Sequence, residues 1–398
     1  MTPAPSPSSE FAEQLLDCAR QAGAAEAEVF QSVSIARPVF FEANRLKQLD
    51  RSEVEGTALR LWRNGRPGLA VAHGQIDPHV LIDRALALSD LNEPEPIELT
   101  SNLHLRHPDE GMAMSGEALV DLGKAAIAQI RAAYPEVICM VELDCDVETT
   151  RIINTRGLDC AHTDTTLNCF IEAEWVRGDD FLNVSDGQTR RRSLDLDDLV
   201  NQVLQRLAWA QATTTVSQRR VPVLFTAKAA DMLWGTVQSA LSGKRVVERS
   251  SPWSDRLEKQ VLSPELTLYQ DPKAGPYSCP FDDEGIPTRK LTFIQAGVLK
   301  LLYTDRVTGQ RLGGGSTGNG FRPSLGSYPT PSCFNFLVEP GTRSLETLIA
   351  SLDQGIIVDQ MLGSGAGISG DFSFNVDLGY WVEQGQITGR VKDTMVSG

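Results

Sequence analysis

The chain has 398 residues, 41% hydrophobic and 22% charged, enough for roughly two or three domain-sized cores, which excludes a miniprotein held by disulfides or metal. Its 37 Lys and Arg against 52 Asp and Glu leave a net charge of −15, which repels phosphate backbones and anionic lipid headgroups and argues against nucleic acid as a partner. Seven cysteines, an odd number without C-x-x-C spacing, fit reduced thiols in a cytoplasmic protein better than a disulfide framework.

The N-terminus is rich in Pro and Ser, lacks Lys and Arg, and shows no secretory pattern; residues 1–9 read as a flexible tail. No run approaches the roughly 20 apolar residues of a membrane span, so no membrane association is expected. Residues 10–23 predict a helix with Phe11, Leu15, Leu16 and Ala19 on one face and Gly23 as its stop. β-rich runs follow to about residue 73, including a hairpin at Asn64-Gly65, where both residues tolerate the positive φ of a type I′ turn. Asp77-Pro78 opens a second helix as cap and first helical residue, and the acidic stretch 92–98 reads as a connector.

A helix over 115–133 precedes two long strands. In the first, Val137, Cys139, Val141, Leu143, Cys145 and Val147 alternate with mainly polar residues; in the second, over 159–175, Leu167, Cys169, Ile171 and Ala173 oppose His162, Asp164, Asn168 and Glu172. A further helix over 197–207 leads to a polar stretch at 211–220, where a domain break near 215 is expected. Beyond it come a strand over 221–225 and a helix over 227–241, then mainly strands and Gly-rich turns with one helix over 344–352. The expected fold class is α+β: an N-terminal α/β domain over 10–215 and a mainly antiparallel β domain over 216–398.

Gly313-Gly314-Gly315-Ser316-Thr317-Gly318 has the G-x-G-x-x-G spacing of a dinucleotide loop, but prolines at 323, 329 and 331 disfavour the helix whose N-terminus would face a pyrophosphate. A loop so rich in backbone N–H groups could receive an extended peptide or an anion, or be no more than a mobile Gly-rich segment. All five histidines (73, 79, 104, 107 and 162) precede residue 163, which excludes a His-pair zinc helix or a His-containing triad in the second half. His104 and His107, with Asp109 and Glu110, have ligand-like spacing but lack a second ligand pair and read as a solvated connector. His162 reads as a surface residue. Asp282-Asp283-Glu284-Gly285 sets three carboxylates beside a turn glycine, either as oxygen ligands for a hard cation or, the favoured reading, as a solvated turn entering a strand over 288–294.

Taken in order along the chain, several runs resemble the TldD/PmbA family, once described as modulators of DNA gyrase and now regarded as metallopeptidase-related. In the first half these are Gly23-Ala24-Ala25-Glu26-Ala27-Glu28-Val29, Phe41-Glu42-Ala43-Asn44-Arg45-Leu46 and Asn64-Gly65-Arg66-Pro67-Gly68. In the second they are Phe281-Asp282-Asp283-Glu284-Gly285-Ile286-Pro287, Ser316-Thr317-Gly318-Asn319-Gly320, Glu339-Pro340-Gly341, Ser369-Gly370-Asp371-Phe372-Ser373 and Gly379-Tyr380-Trp381-Val382-Glu383-Gln384-Gly385.

The resemblance implies two kinds of subunit, a TldD kind whose His-Glu-x-x-x-His helix binds zinc with a later Cys, and a PmbA or TldE kind that lacks the motif and pairs with the first. Aligned on Leu233, Leu241 and Gly243, the motif positions here are Trp234, Gly235 and Ser239, none of which serves as zinc ligand or general base. The sequence stops at Ser397-Gly398, so the segment bearing the family's Cys ligand is expected to be absent, and Cys333 does not replace it. The resemblance therefore implies a subunit with no catalytic residue or metal of its own, zinc residing in a TldD-like catalytic partner, and short or unfolded peptides as substrates. Ser316, Thr317, Gly318, Asn319 and Gly320 are the expected substrate contacts. The hetero-oligomer is the expected assembly, with a homodimer left open for the chain alone. The alternatives are an autonomous metal-dependent peptidase using Asp282, Asp283 and Glu284, and a peptide-binding or assembly module with no peptidase partner.

Overall fold

Alternation along two strands produces the longest feature of the computed structural model, a hairpin of Ile138–Asn154 and Asp159–Arg177. The structure describes residues 7–74, 76–216, 220–363, 367 and 369–398. Cys139, Val141, Leu143, Cys145 and Val147 all point into the core, because side chains two apart share a face of the sheet. The length of Ile138–Asn154 lets it serve two neighbours: Val141 to Leu143 pair with Val39–Glu42, and Asp146 to Asn154 pair with Glu26–Ala36. The nine-stranded sheet continues through Ser52–Arg63 to Arg66–His73 on one side and through Asp159–Arg177 to Asp180–Arg190 on the other.

Helices Ser9–Gln21 and Pro78–Ser89 cover one end of this sheet, packing Leu15 and Leu81 against Leu59 and Leu61. Gly116–Ala133 and Leu196–Trp209 cover the hairpin with Leu119, Ile130, Val200 and Val203. In the second half, Gln354–Leu362, Ser373–Glu383 and Gln386–Val391 run antiparallel at the centre of a six-stranded sheet, whose edges Thr213–Thr214 and Val223–Phe225 pair in parallel. Ile357, Leu378 and Tyr380 from this sheet join the same core cluster as Val203 and Leu207, so the two halves bury apolar surface together. The architecture is α+β with mainly antiparallel sheets. Among the described residues no helix is long and apolar enough to cross a membrane.

The expected tail at 1–9 lies outside the described residues through residue 6; Ser8 caps the first helix and Ser9 is its first residue. The histidine-bearing stretch expected to be a solvated connector is instead a strand, His104–His107, parallel to Asp159 through His162. Four residues are too short for a periodic signal, and the strand exists because the long hairpin offers an edge to pair with.

Asn64 (φ +53°) and Gly65 (φ +74°) form the tight turn between Ser52–Arg63 and Arg66–His73. A Cβ at Gly65 would make only ordinary contact with Pro94 at 3.6 Å, so the constraint is in the backbone. Gly65→Val should lower stability by about 1–2 kcal/mol, the cost of holding an L side chain in the left-handed region; an unchanged urea midpoint would contradict the turn.

Candidate functional site

The helix Ala227–Leu241 begins at Thr226, whose side chain accepts from Ala229 N–H while its own N–H donates to Val358 O at 3.0 Å. The helix thereby starts at the edge of the six-stranded sheet. Trp234 lies half-buried against the cluster containing Leu241, Leu268 and Phe293. Gly235 is exposed and Ser239 half-buried. An indole, a bare backbone and a hydroxyl stand where a zinc helix would need two imidazoles and a carboxylate, so these residues do not fit a zinc ion. A Cβ at Gly235 would meet nothing within 4 Å. Gly235→Ala should therefore raise the unfolding free energy by about 0.5–1 kcal/mol through helix propensity alone, measurable as a shifted urea midpoint.

At the start of this helix a buried ionic network joins the two halves. Asp359, fully buried, accepts from Arg206 Nε at 2.9 and 3.0 Å and lies 3.0 Å from Lys228 Nζ. Arg206 also reaches Asp186 at 2.9 Å, and Lys228 donates to Ser185 O and to Gln360 Oε1. Burial works against both cations: it lowers the Lys228 pKa despite Asp359, whereas at Arg206 the nearby Asp359 and Asp186 outweigh it and raise the pKa. Beside the network opens a groove of about 970 Å³, lined among others by Trp209, Phe225, Lys228 and Asp231.

The acidic turn is buried rather than solvated. Asp282 Oδ1 accepts from Glu284 and Ile286 N–H at 3.0 and 2.9 Å, and its Oδ2 accepts from Gly320 N–H at 2.9 Å. Asp283 accepts from Arg322 N–H at 2.7 Å, and Glu284 from Arg306 N–H at 2.9 Å. Each carboxylate thus ties the turn to another backbone segment. Among the described residues no three His, Cys, Asp or Glu side chains are grouped so that they could hold a metal ion. Burial raises all three, to about 7, 6 and 8 in chain order.

The loop expected to touch substrate faces inward instead. Thr317 and Asn319 are buried; Thr317 Oγ1 donates to Thr304 O at 3.0 Å, and Asn319 Nδ2 donates to Gln270 Oε1 at 2.6 Å and Ser332 O at 2.8 Å. Ser316 Oγ accepts from Gly318 N–H at 3.1 Å. A Cβ on Gly318 would come within 2.9 Å of Pro287 O, and one on Gly320 within 2.7 Å of Glu284 Oε2. The glycines make room for the chain's own segment from Glu284 to Thr288. The structure thus places Thr317, Gly318, Asn319 and Gly320 buried against their own chain, with Ser316 half-buried.

His162 likewise departs from expectation. Its ring stands edge-on to Phe281 at 5.1 Å, and burial, with His107 nearby, lowers its pKa to about 4. Neighbouring Asp164 accepts from Ser278 N–H at 3.0 Å, so the hairpin's polar face is where the second half docks. Sequence reasoning passed over Arg206, Lys228 and Asp359. The available signal was a lone charge on an apolar surface: Arg206 between Val203 and Leu207, and Asp359 after Ile356-Ile357-Val358.

Residues 218–398 match the PmbA/TldA metallopeptidase C-terminal domain. The second half of the chain is thus similar to the C-terminal domain of PmbA/TldD-type proteins. It is 27% identical over 272 residues to the metalloprotease PmbA homologue of Buchnera aphidicola, covering 62% of this chain and 58% of that one. It is 32% identical over 172 residues to the metalloprotease TldD homologue of Haemophilus influenzae, covering 42% of this chain and 35% of that one. The chain spans about half the length of the curated relatives it matches, at 58%, 42% and 39% for three PmbA proteins. The crystal structure of TldE from Thermococcus kodakarensis shares its fold at a TM-score of 0.90 and 24% identity, over 98% of this chain and 91% of that one.

Proposed function

We propose that this chain is the non-catalytic, TldE-type subunit of a cytoplasmic zinc metallopeptidase complex that acts on short or unfolded peptides. The observation that carries the reading is the occupancy of the motif helix: Trp234, Gly235 and Ser239 supply no ligand for zinc and no base to activate water. A TldD-like partner would supply both the metal and the chemistry. What this subunit adds is surface, closing a chamber around the substrate and holding it extended. Division of labour of this kind predicts a chain inert alone and active in mixture. After dialysis against a mild chelator the purified chain should retain far less than one equivalent of zinc and cleave no peptide. Near-stoichiometric zinc, or peptide cleavage by the pure chain, would overturn the proposal.

A further inference from the structure

Strand Asp180–Arg190 leads into a run of three arginines, Arg190 to Arg192, which lines one cavity together with Lys273. Between them lies a cavity of about 610 Å³ lined by Arg190, Arg191, Arg192, Ser193 and Lys273. Two carboxylates, Glu110 and Asp195, also line it, but both are engaged. Glu110 binds Arg191 at 3.2 Å, and Asp195 caps helix Leu196–Trp209 by accepting from Asp198 N–H at 3.2 Å. Arg190, Arg192 and Lys273 are exposed and have no ion-pair partner among the described residues. Three unpaired cations around one cavity stand out in a chain of net charge −15.

The walls are held in place from both halves. Arg192 Nε donates to Glu110 O at 3.0 Å, fixing the arginine run against the segment after His107. Lys273 N–H donates to Asp271 Oδ1 at 2.9 Å, and Asn335 Nδ2 donates to Tyr277 O at 2.8 Å, fixing the opposite turn. The cavity is also not isolated. Thr189 lines it, and lines a second cavity of about 560 Å³ floored by Phe40 and Phe170. The combination is a cationic pocket and a mainly apolar trough that share Thr189 in their walls.

We infer that this pocket takes a carboxylate of an extended peptide, an acidic side chain or the C-terminal carboxylate, with apolar residues of the same peptide lying over Phe40 and Phe170. Arginine suits the role because its planar fork matches both carboxylate oxygens, and clustered cations raise the local concentration of an anionic ligand. The inference rests on the peptide-handling reading above and names the class of peptide that reading leaves open.

The test uses the full chain and a short fluorescein-labelled peptide ending in consecutive Glu residues, its Gln counterpart amidated at the C-terminus so that it carries no carboxylate, and inorganic phosphate as competitor, followed by anisotropy. Arg190→Gln combined with Lys273→Gln should weaken the Glu peptide about tenfold, the loss expected for charge-assisted hydrogen bonds. Binding of the Glu peptide should also fall with added salt and exceed that of the Gln peptide. Both substitutions are at exposed positions, and an unchanged melting temperature would confirm folding. Equal binding of the Glu and Gln peptides, or undiminished binding by the double variant, would overturn the inference. So would phosphate binding that the double variant abolishes while peptide binding persists, since the pocket would then serve small anions only. Partner capture by the same variant separates the two readings: loss of peptide with the partner retained supports the pocket, whereas wild-type chain that captures no partner counts against the subunit reading alone.

Discussion

Asp359→Ala should lower the unfolding free energy by about 3–5 kcal/mol, because removing one member of a buried ionic network leaves its counter-charges without compensation. Asp359 is fully buried, and it accepts from Arg206 at 2.9 and 3.0 Å while neutralising Lys228 at 3.0 Å. Without it, Arg206 keeps Asp186 and the neutral Gln202 Oε1, and the contacts of Lys228 are with the neutral oxygens of Ser185 and Gln360. The network also crosses the boundary between the halves, so its failure should separate the six-stranded sheet from helix Leu196–Trp209. Replacing Arg206 and Asp359 together, as Arg206→Met with Asp359→Leu, should be far milder, since an apolar pair of similar volume needs no compensation. Equilibrium urea unfolding of both variants is the check. A single-variant loss within about 0.5 kcal/mol, the usual size for surface positions, would show that the network carries little of the fold.

Stability should fall as pH rises from about 5 to about 9. Burial raises Asp146 and Asp164 to about 6, and Asp282, Asp283 and Glu284 to about 7, 6 and 8. A carboxyl whose folded pKa lies above its unfolded value binds its proton more tightly when folded. Its stabilising contribution is therefore fully present below the unfolded pKa and is lost as pH rises through the folded one. These groups face one another where the acidic turn docks on the hairpin: Glu148 and Asp144 act on Asp146, Asp109 and Glu148 on Asp164, and Glu148 and Glu28 on Asp283. Arg322 and Arg191 offset part of that repulsion. Glu26 is lowered by Thr155 and Arg156, and Asp159 and Asp180 by arginine or lysine partners, in each case outweighing burial, so their contributions are lost only as pH falls through the ordinary carboxylate range. The two sets leave a maximum on the acid side of neutrality. A melting temperature that is flat or rising between pH 5 and pH 9 would contradict the buried placement of the acidic turn.

Much of the first half was legible because its elements carry periodic signals. Cys139 to Val147 alternate, Asp77-Pro78 caps and starts a helix, and Asn64-Gly65 turns a hairpin, each a local constraint that the structure satisfies locally. The inward turn of Ser316 to Gly320 was not legible. Glycines that admit a ligand and glycines that admit a neighbouring loop read alike, and only Pro287 and Glu284, about 30 residues away, decide between them. The acidic turn failed for the same reason: three adjacent carboxylates suggest solvent, yet Gly320, Arg322 and Arg306 bring the N–H donors that let them be buried. Tertiary partners distant in sequence thus explain the errors at the site, as they do the missed strand His104–His107, which exists only beside Asp159 to His162.

The central claim is that this chain works as the metal-free half of a two-chain peptidase, and affinity capture of the tagged full chain from cells that also carry a TldD-like protein tests it most directly. The captured material should contain a TldD-like chain in stoichiometric amount, with about one zinc per pair expected for a single tetrahedral site, held by that partner and absent from the tagged chain after separation. Recovery of the tagged chain alone, or zinc that stays with it once the partner is removed, would contradict the account.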